Sequence, residues 1–168
     1  MRRHHLPYVV LAQNWKDWSW WAKIRPVIEY LKKCPTPLVG LVDSFDGFAL
    51  PAPNIEKRFL EFGCDILFGP TPWDYPKHPE CDAFEQKIYS AHKKPHLCAG
   101  SYFGKTQSIL HVLQEILKER DGQHVHDQHE WRIKHKQLYP QIQIDVQEKL
   151  IVRHDITHQS KNSNKLFM

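Results

Sequence analysis

The feature that most limits how this chain can fold is the run Leu38-Val39-Gly40-Leu41-Val42, followed at once by Asp43-Ser44-Phe45-Asp46-Gly47-Phe48. Five consecutive residues without a charge, bounded by turn formers, read as a buried strand. Such strands belong to sheets covered by helices on each side. Two carboxylates, Asp43 and Asp46, then sit in the loop at the strand's carboxyl end. In open α/β sheets that rim is where ligands bind. Hard divalent cations take oxygen ligands, often one or two carboxylates plus substrate phosphates. The pair can therefore hold a metal that carries a diphosphate. In the plainer alternative Asp43 caps a turn and Asp46 is solvated.

The rest of the chain supplies elements to surround such a strand. Pro7 to Ala12 reads as a first strand. Residues 13–21 contain Trp15, Trp18, Trp20 and Trp21, a density that suits a pocket wall or stacking surface, or else a hydrophobic plug at the sheet edge. Lys23 to Lys33 has Ile24, Val27, Ile28 and Leu31 at helical spacing, with Pro26 tolerable only in the first turn. Asn54 is a natural N-cap for a second helix bearing Ile55, Phe59 and Phe62, and Gly63 is its stop. Cys64 to Gly69 is the next strand, and strand–helix–strand order suggests parallel pairing by a right-handed crossover. The stretch from Pro70 to Pro95 reads as a long loop, with Trp73, Asp74 and Tyr75 just past a strand end. Ala99 and Gly100 permit close approach of a ligand or another strand. Thr106 can cap a third helix whose apolar positions run from Ile109 to Leu117, and a fourth runs from the His124–His129 region to about Leu138. Ile142 to Asp145 alternates like an edge strand. Leu150-Ile151-Val152 reads as one more short strand, and the polar tail from 154 to 168 as flexible.

Length and composition suit one domain spanning residues 1–168, with 41% hydrophobic and 25% charged residues. No apolar run approaches the roughly 20 residues a membrane helix needs, and Met-Arg-Arg-His-His-Leu-Pro, with no long apolar region after it, does not read as a signal sequence; the cytoplasm is the default expectation. A net charge of +4 suits an anionic ligand without requiring nucleic acid. Cys34, Cys64, Cys81 and Cys98 form no C-x-x-C pair and read as free thiols, a disulfide remaining the alternative. His124, His126 and His129 invite a zinc reading, but no partner cluster lies near them in sequence.

The order of these motifs resembles a known family. A tryptophan-containing segment with a lysine precedes a strand ending in Asp-Ser-Phe-Asp. Trp-x-x-Pro, Leu-x-Ala-Gly-x-x-x-Gly, an Asp-Gln at a helix start and Ile-x-Ile-Asp follow. The sequence is similar, from about Tyr8 to its end, to the glycosyltransferase domain of the procollagen lysyl hydroxylase/galactosylhydroxylysine glucosyltransferase family and its viral and microbial relatives. The resemblance implies a GT-A-like, Rossmann-type α/β fold, a mostly parallel sheet flanked by helices. It also implies a UDP-sugar donor, manganese or magnesium, and a hydroxyl-bearing acceptor. By position it assigns the metal to Asp43, Asp46 and, in a poorly matching setting, His158. It places Lys23 near the nucleotide, Asp43, Ala99, Gly100 and Ser101 around the donor, Trp73 near sugar and acceptor, and Asp127 in transfer. Lys161 is a further cation for the leaving diphosphate. Three departures accompany the match. Cys98 replaces a usual Asn, His126 replaces the acid before Asp127, and the family's first strand–helix unit has no counterpart, so the expected fold is N-terminally truncated. Two other functions fit the same residues: a non-catalytic, glycosyltransferase-like remnant, and a transferase acting on nucleic acid.

Overall fold

The computed structural model describes residues 8–11, 22–43, 53–120 and 126–152. Within them, α1 (Ile24–Leu31), β1 (Leu38–Val42), α2 (Ile55–Leu60), β2 (Ile66–Thr71) and α3 (Pro79–Tyr89) are followed by β3 (His96–Lys105), α4 (Thr106–Glu119), α5 (Asp127–Gln137) and β4 (Ile142–Ile144). The architecture is α/β, built on a four-stranded sheet in the order β1-β3-β2-β4.

The expected mostly parallel sheet is corrected here: the sheet is mixed. β3 runs antiparallel to both β1 and β2, and only β2 and β4 pair in parallel. β1 and β2 do point the same way, as a crossover between them requires, but β3 lies between them instead of leaving them paired. The sequence of β3 suits that central place. Leu97, Ala99 and Tyr102 face one core and Phe103 the other, and Gly104 lets the strand close on β2. A Cβ at Gly104 would lie 2.5 Å from the Asp65 carbonyl oxygen.

Strand alternation sorts the apolar residues into two layers. Ile66 and Phe68 face a core shared with Ile24, Val27, Ile28 and Leu31 of α1, Ile109, Leu113 and Ile116 of α4, and Trp131 of α5. Leu67 faces the opposite side, where it meets Phe59 of α2, Cys64 and Phe103. Helix α1 holds Pro26 in its first turn, where the missing N–H costs nothing.

Several local expectations change. Residues 8–11 form no strand, and Tyr8, Val9 and Val10 are exposed. Asn54 does precede α2, but it donates no side-chain cap; it serves by accepting a left-handed backbone, with φ of 58°. Gly63, with φ of 62°, ends the same segment. The stretch from Pro70 to Pro95 is no uninterrupted loop. It contains α3, opened by His78, whose ring nitrogen accepts from the Cys81 N–H at 3.3 Å, and by Pro79. Its buried positions are Cys81, Glu85 and Tyr89, so no apolar stripe marks it in sequence. Residues 150–152 form no strand either. The Asp145 carboxylate instead gathers the N–H groups of Lys149, Leu150 and Ile151 at 2.9, 2.6 and 2.9 Å, bending the chain around one buried acid. All four cysteines are free thiols, Cys64 and Cys81 buried. No helix among the described residues is long and apolar enough to cross a membrane.

Candidate functional site

The site forms where β1 ends. Asp43 continues the pairing of β1 by one hydrogen bond, its N–H donating to the Gly100 carbonyl at 2.8 Å. That bond fixes the direction in which the Asp43 carboxylate leaves the sheet. Opposite it, β3 is irregular. Phe68 of β2 pairs with Tyr102, but the next residue, Gly69, pairs with Cys98. Ala99, Gly100 and Ser101 therefore have no partner on β2 and bulge from the ladder, a device that re-aims a strand near a site. Opposite the bulge Gly69 has no room for a side chain, since a Cβ there would come to 2.7 Å from Ser101 Oγ, whereas one at Gly100 would stand at ordinary contact, 3.4 Å from Asp43 Oδ2.

Two helix starts face the same rim. Lys23 immediately precedes α1, and Asp127 opens α5. The Lys23 ammonium lies 3.0 and 3.2 Å from the two oxygens of Asp43 and 2.7 Å from Asp127 Oδ2. Residues 23, 43 and 127 thus converge on one nitrogen. Asp127 is almost wholly buried, whereas Lys23 and Asp43 each keep about a quarter of their side chains exposed. The group opens to solvent on the Asp43 side.

The electrostatics follow from two acids sharing one lysine. Burial raises the Asp127 carboxyl above its ordinary range, against the pull of Lys23, and the Asp43 charge pushes the same way as burial. Burial alone would lower the Lys23 ammonium; Asp127 and then Asp43 outweigh it and hold its pKa above the usual value. Among the described residues one ammonium thus faces two carboxyl groups. His126 stands beside Asp127, with 3.6 Å between Nδ1 and Oδ1, and burial lowers its pKa.

Of the residues singled out in the sequence, Lys23, Asp43, Gly100 and Asp127 come together, with Ala99 and Ser101 flanking Gly100 on the bulge. Trp73 lies on the segment after β2, about half exposed, its N–H donating to Thr71 Oγ1 at 3.3 Å. Asp46, His158 and Lys161, the four tryptophans at 15, 18, 20 and 21, His124 and the tail from 154 lie outside the described residues. The zinc reading of the histidines gains no support within them. His126 neighbours Asp127 and the Tyr75 ring, while the His129 ring lies 4.9 Å from that of His78.

A different trio, Asp82, Glu85 and His96, offers ligand atoms within 4.8 Å of one another, enough for a metal ion. The Arg132 guanidinium already fills that place. Its Nη2 is 2.5 Å from Asp82 and 2.6 Å from Glu85, its Nε is 3.2 Å from both Glu85 oxygens, and His96 Nδ1 is 2.7 Å from Glu85. A cation entering would meet a buried like charge, so the cluster is an internally satisfied ionic network. Arg132 and Gln128 escaped the sequence reading because α5 carries no apolar stripe: Asp127, Glu130, Arg132, Lys134 and His135 are all buried. Polar residues one turn apart, Gln128 and Arg132, are the signal that could have found them. Comparison with known proteins finds no family model and no curated sequence that matches this chain.

Proposed function

We propose that this rim is the donor site of a metal-dependent glycosyltransferase of GT-A type, moving a hexose from a UDP-sugar to a hydroxyl acceptor. The observation that carries the reading is the meeting of Lys23, Asp43 and Asp127 on one nitrogen beside Gly100. Residues assigned from sequence to one donor site, and far apart along the chain, share one rim.

The donor set fits a hard cation. Asp43 offers carboxylate oxygens on the solvent-open side of the rim, where Lys23, a quarter exposed and unlike the wholly buried Arg132, would yield them to a metal. Asp43, with Asp46 and His158, would hold manganese or magnesium, which would supply Lewis acidity to offset charge building on the leaving diphosphate. The chain's own groups do the rest. Lys23 keeps a fixed positive charge beside the same phosphates. The Ala99–Ser101 bulge, without bulk at Gly100, leaves room for the sugar. Asp127, buried at the start of α5, would act through Lys23, whose ammonium it holds in place at 2.7 Å. Trp73, about half exposed on the adjoining segment, would contribute an aromatic face to the sugar.

Calorimetric titration of UDP with manganese tests the reading. Wild type binds UDP only with the metal, and Asp43→Ala weakens that binding by about a hundredfold, as loss of a metal-ligating carboxylate should. Equal binding by both proteins refutes it. Hydrolysis of UDP-glucose by wild type separates the transferase from a non-catalytic remnant.

A further inference from the structure

We propose that Gln128 and Arg132 are positioning residues that clasp the segment bearing Trp73 and Tyr75 to the helix carrying Asp127. The two lie one turn apart on α5, on the same face. Gln128 Nε2 donates to the carbonyl of Tyr75, and Arg132 Nη1 donates to the carbonyl of Pro76 at 2.9 Å. Two successive carbonyls of one segment are thus held by two successive turns of one helix.

Each clasp is itself anchored. Gln128 Oε1 accepts the Ala99 N–H at 3.1 Å, so its amide plane spans the bulge of β3 and the 75 carbonyl together. Arg132 is wholly buried and locked by Glu85 and Asp82 of α3. The segment from 72 to 78 is therefore tied at its start to β2 through Thr71, in its middle to α5, and at its end to α3. Its backbone is held at these points, while its two large aromatic residues stay partly exposed, Trp73 by 47% and Tyr75 by 62%. The Tyr75 ring meets His126 edge-on, with centroids 5.4 Å apart, one residue from Asp127.

This combination makes sense for recognition. Exposed aromatic rings on an immobilised backbone bind flat apolar faces, such as those of a pyranose, at little entropic cost. Because α5 carries both Asp127 and the two clasps, the spacing between acid and aromatic wall is set inside one rigid element. A ligand gripped by Trp73 and Tyr75 then lies at a fixed separation from the start of α5. The role as an acceptor-side wall rests on the proposed transferase reading; the clasp itself does not.

Two variants separate the bonds. Gln128→Glu keeps an acceptor for the Ala99 N–H but cannot donate to the Tyr75 carbonyl. Gln128→Leu loses both. Hydrogen exchange of peptides covering 72–78 is the direct readout. Exchange there quickens by about tenfold in Gln128→Glu, while α4 peptides exchange as in wild type; unchanged exchange across 72–78 in both variants overturns the proposal. With UDP-glucose as donor and D-glucose as the acceptor probe, the acceptor KM rises about fivefold in Gln128→Glu and the donor KM stays within about twofold. Faster exchange with an unaltered acceptor KM overturns the positioning role. If wild type does not bind UDP with manganese, the transferase reading is what fails, and the exchange measurement alone decides the clasp.

Discussion

Replacing Lys23 with Met removes the shared cation while keeping most of the stem's apolar volume. The Lys23 nitrogen lies 2.7 Å from Asp127 and 3.0 Å from Asp43. At an effective dielectric of about 20, each contact is worth roughly 5–6 kcal/mol of bare attraction. Desolvation of Lys23 and water at the open Asp43 side cancel much of that. What remains is dominated by Asp127, which is buried and would lose its counter-charge. Breaking a buried pair costs about 3–5 kcal/mol; one open side brings the expected loss to about 2–4 kcal/mol at pH 7. The pH dependence gives the test its edge. Asp127 already has a raised pKa in the fold, so just above its ordinary range the folded state binds more protons than the unfolded one, and stability falls as pH rises. Without Lys23 that pKa rises further. The deficit of Lys23→Met is therefore largest near neutrality and shrinks as pH falls into the carboxylate range. Urea unfolding at pH 7 and pH 5, with Asp127→Asn and the double variant, measures both effects. In the Asp127→Asn background the lysine replacement costs about 2 kcal/mol less. A loss at pH 7 under about 0.5 kcal/mol, or strict additivity of the two changes, refutes the argument.

Two further outcomes follow from the same geometry. Gly104→Ala forces a Cβ to 2.5 Å from the Asp65 carbonyl oxygen and costs about 2–3 kcal/mol in urea unfolding, while Gly100→Ala makes only ordinary contacts, 3.4 Å to Asp43 Oδ2 and 3.7 Å to Cys98 Sγ, and costs less than about 1 kcal/mol. The Glu85 carboxyl, which burial would raise, is held down at about 2 by the neighbouring His135 ring and by bonds from Arg132 and His96, against an ordinary value of 4.5. A depressed acid stabilises the fold above its unfolded pKa, and that contribution, about 3 kcal/mol, is lost as pH falls from about 4.5 to 2. Acid titration of unfolding shows this loss in wild type and not in Glu85→Gln, which is already destabilised at pH 7.

Elements with an apolar period were legible in the sequence. Helices α1 and α4 announce themselves because every core contact comes from one stripe, as with Ile24, Val27, Ile28 and Leu31. Helix α3 and strand β3 were not legible, for opposite reasons. Helix α3 buries Glu85 against Arg132 rather than against hydrocarbon, so its inward face looks like a solvated one. Strand β3 mixes Ala, Gly and Ser into its centre, where the ladder bulges, and those residues read only as a place of close approach, not as a strand. The Asp145 carboxylate explains the last lost strand. Leu150 and Ile151 are apolar enough for one, but their N–H groups bond a buried acid instead of a neighbouring strand.

The site was legible in its parts and hidden in its assembly. Strand ends carrying acids can be read from sequence, since the carboxyl rim of an α/β sheet is a general position for ligands. Which of them meet depends on strand order, and order is a long-range property. Had β1 and β2 been paired directly, Asp43 would face the segment after β2 without the Ala99–Ser101 bulge between them. Insertion of β3 puts the Gly100 carbonyl against the Asp43 N–H and draws the start of α5 to the same rim through the Ala99–Gln128 bond. The convergence of Lys23, Asp43 and Asp127 is thus a consequence of one antiparallel strand in the middle of the sheet. A substitution that shifts the register of β3 would part the three residues even if it touched none of them.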